Sequence, residues 1–472
     1  MSVLRAHQKL VVLVVCCMSL LMVSMDATVL NIALPDIRED LRTNIAGLQW
    51  TVDAYTLVLA SLFVLAGSTA DRVGRRKIFK TGLLLFMLGS VLCSLAPSLA
   101  WLVVFRMVQA VGGAMLSPVG MSIIAHTFSD QRERARAIGI WSSATGISMA
   151  VGPIVGGLLV ETAGWRSIFW INVPIGLIAF VLAWRHVPES RACTPRRPDP
   201  VGQCLIIILL GSLTYAIIQA ADASVSTVLP IAGIAVIALI GLLLYELRRD
   251  EPLIELRFFR SPTFSGASVI AVSAFAALTG FFFLNTLYLQ SAKGLPPLQA
   301  GLYMLPTATV IAICAPLSGR LLAAHGPRLP LAIAGTAMTI SGLLLAAFTS
   351  QPNAVLLFAG YITFGLGFGM VNAPISNSAV SGMPTSQAGV AAAIASTSRQ
   401  TGATLGVAII GTILAVRTHG SDTTGFLQAS RPAWFTIAGC GTCVLLMGLM
   451  TSGRRARESA RRSADKLQPS QH

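Results

Sequence analysis

Charge is what this sequence has least of. Asp, Glu, Lys and Arg together make up 11% of the 472 residues, where an ordinary soluble domain carries about 25%. A water-soluble chain of this length needs far more polar surface, which argues against a soluble enzyme. The 54% hydrophobic content argues against disorder. Histidine is also scarce, with six residues and no ligand spacing. Seven of the eight cysteines lie in apolar runs, where a thiol behaves as a small hydrophobe. Cys440 and Cys443 form a CxxC without the second pair that a zinc site needs. No metal site is expected. The phosphate-cradling GxxxxGK[ST] is missing, since Phe79 stands where Lys80-Thr81 would need its glycine-bearing lead. Neither GxSxG nor HExxH occurs. The sequence therefore offers no catalytic residues and no cofactor site, and an ion gradient is left as the source of energy.

What the chain does have is long apolar runs. A bilayer core of about 30 Å takes about 20 apolar residues per helix, and fourteen such segments are predicted. They run over about 10–34, 46–70, 78–96, 99–125, 136–160, 167–185, 200–219, 228–246, 264–289, 299–319, 329–349, 353–380, 399–416 and 433–451. The first follows Arg5 and Lys9 but is too long for a signal peptide and lacks a cleavage site, so it reads as an uncleaved helix.

The formal net charge of +15 tests this count. With the N-terminus in the cytoplasm, the inner loops hold most of the 34 basic residues, Arg399 among them. The outer loops hold only Arg38, Arg42, Arg166, Lys293, Arg417 and Arg431. That asymmetry is the positive-inside rule; it makes the charge an orientation signal and argues against a nucleic-acid partner. Both termini are expected in the cytoplasm of a multi-pass plasma-membrane protein, of the bacterial inner membrane.

The chain also repeats itself. Gly67-x-x-x-Asp71-Arg72-x-Gly74-x-Arg76 is echoed by Gly319-x-x-x-Ala323-x-x-Gly326-x-Arg328, where the glycine and final arginine spacing matches and the acid is lost. Gly113, Met115 and Pro118 are echoed by Gly369, Val371 and Pro374. Two related six-helix bundles follow, over 1–186 and 261–452, with an inserted two-helix hairpin and linkers at 187–260 and a basic tail at 453–472. Duplicated halves around a central site are a common transporter architecture.

Polar groups inside spans are functional candidates. Of nineteen acids, only Asp26 and Asp53 lie well inside predicted spans, and Arg106 is the one basic residue there. At 1.5 Å per residue, Asp26 and Arg106 lie roughly 12 Å in and Asp53 about 10 Å, all in the outer half. Neighbouring helices would let them meet. Desolvation raises an aspartate pKa and a nearby arginine lowers it, so a carboxylate between the two can couple proton movement to conformation. The competing readings are a structural ion pair for Asp26 and Arg106, and for Asp53 a position facing water. Asn31, Gln109, Asn285, Gln290, Asn372 and Asn377 either line a substrate cavity or bond helices together.

These residues carry a resemblance. Met25-Asp26-Ala27-Thr28-Val29-Leu30-Asn31-Ile32-Ala33-Leu34-Pro35 resembles the first-helix signature of the fourteen-helix drug:proton antiporters of the major facilitator superfamily. Gly67 to Lys77 resembles the superfamily loop between helices 2 and 3. Arg106-x-x-Gln109-x-x-Gly112-Gly113 resembles its fourth-helix motif, with Ala110 where glycine is usual. Gly146, Gly152-Pro153 and Gly156-Gly157 resemble the antiporter motif of helix 5. Trp165-Arg166 through Asn172, Pro174 and Gly176 resembles the lead-in to helix 6, and Leu287-Tyr288-Leu289-Gln290 the segment joining helices 9 and 10.

The resemblance implies an all-α major facilitator fold and proton-coupled efflux of hydrophobic or cationic drugs by a monomer, with small-molecule substrate, protons and the lipid bilayer as partners. It assigns Asp26 and Arg106 to the proton-coupling and substrate region, and Gly67, Asp71, Arg72, Gly74, Arg75 and Arg76 to a cytoplasmic latch. The glycines and Pro153 of helix 5 become a hinge or seal. An exporter of one endogenous product, such as an antibiotic, amino acid or siderophore, would share the fold and mechanism.

Overall fold

In the computed structural model, the described residues are 6–191, 199–221, 223–249, 252, 255–350, 352–380, 388–417 and 423–451. The expected basic tail at 453–472 and part of the central linker lie outside them. Among the described residues fourteen helices are long and apolar enough to cross a membrane. They are α1 (His7–Asp40), α2 (Ile45–Val73), α3 (Arg75–Ser94), α4 (Leu99–Thr127), α5 (Arg132–Ala163), α6 (Ser167–His186), α7 (Pro200–Gln219), α8 (Val225–Glu246), α9 (Pro262–Ala292), α10 (Leu305–His325), α11 (Arg328–Phe348), α12 (Ala354–Val380), α13 (Val390–Arg417) and α14 (Gly425–Thr451).

Each matches an apolar run in the sequence, because a helix satisfies every backbone group inside hydrocarbon from within its own segment. The ends differ for the same reason. α1 continues past Pro35 to Asp40, since helical hydrogen bonding persists into the polar interface where hydropathy has already fallen. α13 begins nine residues before the expected 399. Arg399, expected in an inner loop, therefore sits inside a helix. The tenth run divides: a short helix over Pro297–Tyr303 precedes α10, which starts at Leu305 with Pro306 in its first turn.

Packing divides the chain into two units, one of Met1–Gln203 with Leu295–Leu302, the other of Cys204–Gly294 with Tyr303–His472. In the first, α3 and α4 approach backbone to backbone. A methyl group added at Gly112 would lie 2.4 Å from the Phe86 nitrogen, and one at Gly89 would lie 2.5 Å from the Gln109 backbone. Small residues permit such contacts, which carry much of helix association in lipid. Tyr55, Phe79, Phe86 and Leu116 fill the core between them. In the second unit, α9 receives α13 at Gly402 and Gly406, and α11 receives α14 at Gly335 and Gly342. Phe281 stacks on Phe364 with ring centres 4.1 Å apart and meets Trp434 edge-on.

Candidate functional site: a buried charge network

The charges at matching depth do meet. Arg106 of α4 is 1% exposed and Asp26 of α1 is 5% exposed. Arg106 Nη1 donates to Asp26 Oδ2 at 2.5 Å and to Gln109 Oε1 at 2.7 Å. Its Nε donates to the Thr51 carbonyl of α2 at 3.4 Å. Its guanidinium lies 4.2 Å from the Tyr55 ring centre and 5.9 Å from that of Phe169, within the range in which an aromatic face attracts a cation.

Asp26 is fully engaged. Its Oδ1 accepts from Gln109 Nε2 at 2.7 Å and from Asn172 Nδ2 at 2.9 Å. Gln109 and Asn172 both also donate to Ser90 Oγ, at 2.8 and 3.0 Å. One carboxylate thus ties α1 to α4 and α6, and its two carboxamide partners extend the network to Ser90 of α3. Asn172 is aimed by a break in α6 at Ile171, after which the helix restarts at Asn172. A buried ion pair is tolerable only when its remaining donors and acceptors are satisfied, and these three polar side chains do that.

Asp53 of α2 is different. It does not face water: it is 0% exposed, and neither carboxyl oxygen has a hydrogen-bond partner. The network of Arg106 and Asp26 does not include it. The other polar candidates are scattered. Asn31 donates to Ala27 O on its own helix at 2.8 Å. Asn285 accepts from Tyr361 OH at 2.6 Å and lines a small aromatic pocket with Tyr288 and Trp434. Gln290 is buried in a π-helical turn over Leu287–Ala292. Asn372 is half-buried and Asn377 exposed, near the end of α12.

At the other end of the first unit, the latch residues form a compact turn. Gly74 joins α2 to α3 at φ +128°, a conformation L side chains rarely adopt. Arg75 Nε and Nη2 both donate to Asp71 Oδ1, at 2.9 and 2.8 Å. Sequence reading missed Glu189, whose Oε1 accepts from the Arg76 backbone N–H at 3.0 Å and so caps the start of α3. Arg76 Nη1 donates to Val187 O at 3.3 Å and Arg75 N to Ser190 O at 2.9 Å. Arg72 is exposed, and Gly67 faces Pro118 of α4.

On α5, Gly152 and Gly156 lie against Thr28 and Val29 of α1, while Gly157 meets the backbone of Leu298. Pro153 O lies 2.4 Å from where a side chain on Gly301 would begin. Gly146 has open space around it.

Ser90, Asn172 and Tyr55 were also not singled out as site residues. Asn172 carried a signal, a carboxamide inside an apolar run; a serine or tyrosine in a span carries almost none.

Comparison with known proteins fits this architecture. The profile of the Major Facilitator Superfamily matches residues 16–407. The multidrug resistance protein Stp of Mycobacterium tuberculosis is 36% identical over 86% of this chain and 76% of its own length. The tetracenomycin C resistance and export protein of Streptomyces glaucescens is 34% identical over 84% and 74%. A crystallised bacterial homologue of the human lysosomal transporter Spinster superposes with a TM-score of 0.68 over 98% of this chain and 99% of that one, at 18% identity, and shares the fold. The chain is a transporter rather than an enzyme, a multi-pass protein of the bacterial inner membrane, and it belongs to the major facilitator superfamily among drug- and antibiotic-resistance efflux proteins.

Proposed function

We propose that this protein is a secondary active antiporter that exports hydrophobic drug-like compounds, lipophilic cations among them, in exchange for protons. It does so as a monomer with both termini in the cytoplasm, exposing its substrate site to the two sides of the membrane in turn. The proton gradient is its only energy source, with no cofactor. The observation that carries this reading is the buried Asp26–Arg106 pair with its three polar supports.

The geometry suggests how coupling works. A proton on Asp26 cancels the charge that Arg106 is paired with. Arg106 is then left with neutral acceptors alone, Gln109 Oε1 and the Thr51 carbonyl among them. Because Asp26 of α1 bonds directly to α4 and α6, its neutralisation weakens the contacts among those three helices at once. Asp53, without a donor on either oxygen, is a second proton-accepting position that has no ion pair to break. Exchange of one proton for one monovalent cation moves no net charge, whereas any other ratio adds about 2.3 kcal/mol per charge per 100 mV.

The test is transport by purified protein in liposomes with an imposed pH gradient and ethidium as probe. Proton-linked ethidium movement in the wild type, lost in Asp26→Asn, is the expected result. Equal ethidium movement with and without the gradient would refute proton coupling. A second reading, export of one dedicated product, draws on the tetracenomycin C relative. A screen in which a single compound is moved and lipophilic cations are not would favour it.

A further inference from the structure

Arg399 is the charge that the network above leaves unexplained. It lies on α13, about 14 Å along the helix axis from Val390. Its side chain is half-buried. Nη1 donates to Ser376 Oγ of α12 at 3.3 Å and Nη2 to Ser396 Oγ at 3.0 Å. Two neutral hydroxyls do not balance a guanidinium.

No acid in this part of the chain can balance it either. From Leu256 to Ser421 the sequence contains not one aspartate or glutamate. α13 packs on α9, α12 and α14 and donates from Thr412 to Ile217 O of α7; none of these four helices carries an acid, and their only charge is Arg431. No described carboxylate lies within 4.0 Å of Arg399. Arg106, which is fully buried, has a carboxylate, two aromatic faces and a carboxamide.

The surroundings of Arg399 are polar and partly open. Ser376 and Asn377 of α12 are exposed, and Asn372, one helical turn before Ser376, is half-buried. Ser376 and Ser396 thus place two hydroxyls on the guanidinium, and the stretch of α12 that carries Ser376 is polar. A planar guanidinium with free N–H groups pairs two-pronged with carboxylates and other oxyanions. No acid between Leu256 and Ser421 supplies the negative partner, and a bound oxyanion is one that these N–H groups suit.

We propose that Arg399, with Ser376 and Ser396, binds the anionic group of an exported amphipathic molecule, a carboxylate or phenolate attached to an apolar ring system. The inference rests on the export reading and widens it: the substrates include anions and zwitterions as well as cations. Asp26 serves the proton and Arg399 the substrate, so the two charges have separate tasks.

The test is equilibrium binding without any gradient, so that it stands or falls apart from proton coupling. Purified protein in phosphatidylcholine nanodiscs is titrated with fluorescein, a carboxylate- and phenolate-bearing xanthene, and with its cationic counterpart tetramethylrhodamine methyl ester. Polarisation gives Kd for each dye. In Arg399→Gln, fluorescein binding is expected to weaken roughly tenfold or more, as for a lost charged hydrogen bond. The rhodamine ester should bind unchanged, and Arg399→Lys should fall between. Fluorescein binding that is the same in wild type and Arg399→Gln would overturn the proposal, as would failure of the wild type to bind fluorescein. A parallel loss of both dyes would mark Arg399 as structural. Fluorescein binding abolished by adding phosphatidylglycerol to the nanodisc would assign the site to a lipid headgroup and overturn it likewise.

Discussion

A single carboxylate, Asp26, meets donors from α4 and α6 and an arginine with no other counter-charge. Removing one member of a buried ion pair costs on the order of 3–5 kcal/mol, because the other charge is left unpaired. Asp26→Asn is therefore expected to lose proton-linked efflux and also to unfold at lower temperature in detergent. Asp26→Asn combined with Arg106→Gln removes both charges and should recover much of that stability without recovering transport. If the double variant melts no higher than the single one, the pair is not what holds these helices. Asp53→Asn differs, since no donor reaches Asp53 and no partner is orphaned. It should melt like the wild type while exchanging protons more slowly in the liposome assay. Unaltered exchange would remove Asp53 from the mechanism.

At the scale of elements, glycines decide where backbones touch. Gly157 of α5 lies where a side chain would begin 2.6 Å from Leu298 Cα, whereas Gly146 on the same helix has nothing within 4 Å. Gly157→Leu is expected to lower thermal stability by about 1–3 kcal/mol through overpacking, and Gly146→Leu to leave it unchanged. Equal melting temperatures would refute the contact as a packing determinant. The α2–α3 turn makes a similar contrast. A side chain on Gly74 would begin 2.6 Å from Glu189 Oε1 and would also have to hold φ at +128°. Glu189→Ala loses only the cap on α3, worth about 0.5–2 kcal/mol. Melting curves should rank Gly74→Leu below Glu189→Ala, and the reverse order would show that the cap outweighs the turn. The antiporter-like spacing of α5 was readable as a string of glycines, but which of them touch a neighbour was not. That depends on the face each presents, and a glycine has no side chain whose polarity would reveal it.

For the whole molecule, the asymmetry of basic residues carries an orientation. A reporter fused after His472 that fluoresces only in the cytoplasm should be bright, and a periplasmic enzymatic reporter at the same place should be inactive. The opposite pattern would invert the topology. The distribution of acids has a consequence at the same scale. The long stretch from Leu256 to Ser421 lacks them, while Asp26 and Asp53 both lie before Gln203. The two acids placed deep in spans by the sequence thus both fall in the first packing unit. Electroneutral exchange of a monovalent cation should survive collapse of the membrane potential by a potassium ionophore and stop when the pH gradient is collapsed. Dependence on the potential would show that the ratio is not one to one.

The number of spans, their approximate positions and the three charged residues deep in the first unit are all legible along the chain. These are local properties: twenty apolar residues form a helix in lipid whatever surrounds them, and depth follows from counting along an axis. Which polar groups meet depends on how the helices pack. Asn172 lies 146 residues from Asp26 and Glu189 lies 113 from Arg76, and no pattern along the chain records such pairings. The tertiary structure also moved Arg399 from a loop into a helix and withdrew Asp53 from water. A helix runs on wherever its backbone bonds continue, and burial is conferred by neighbouring helices that hydropathy does not see.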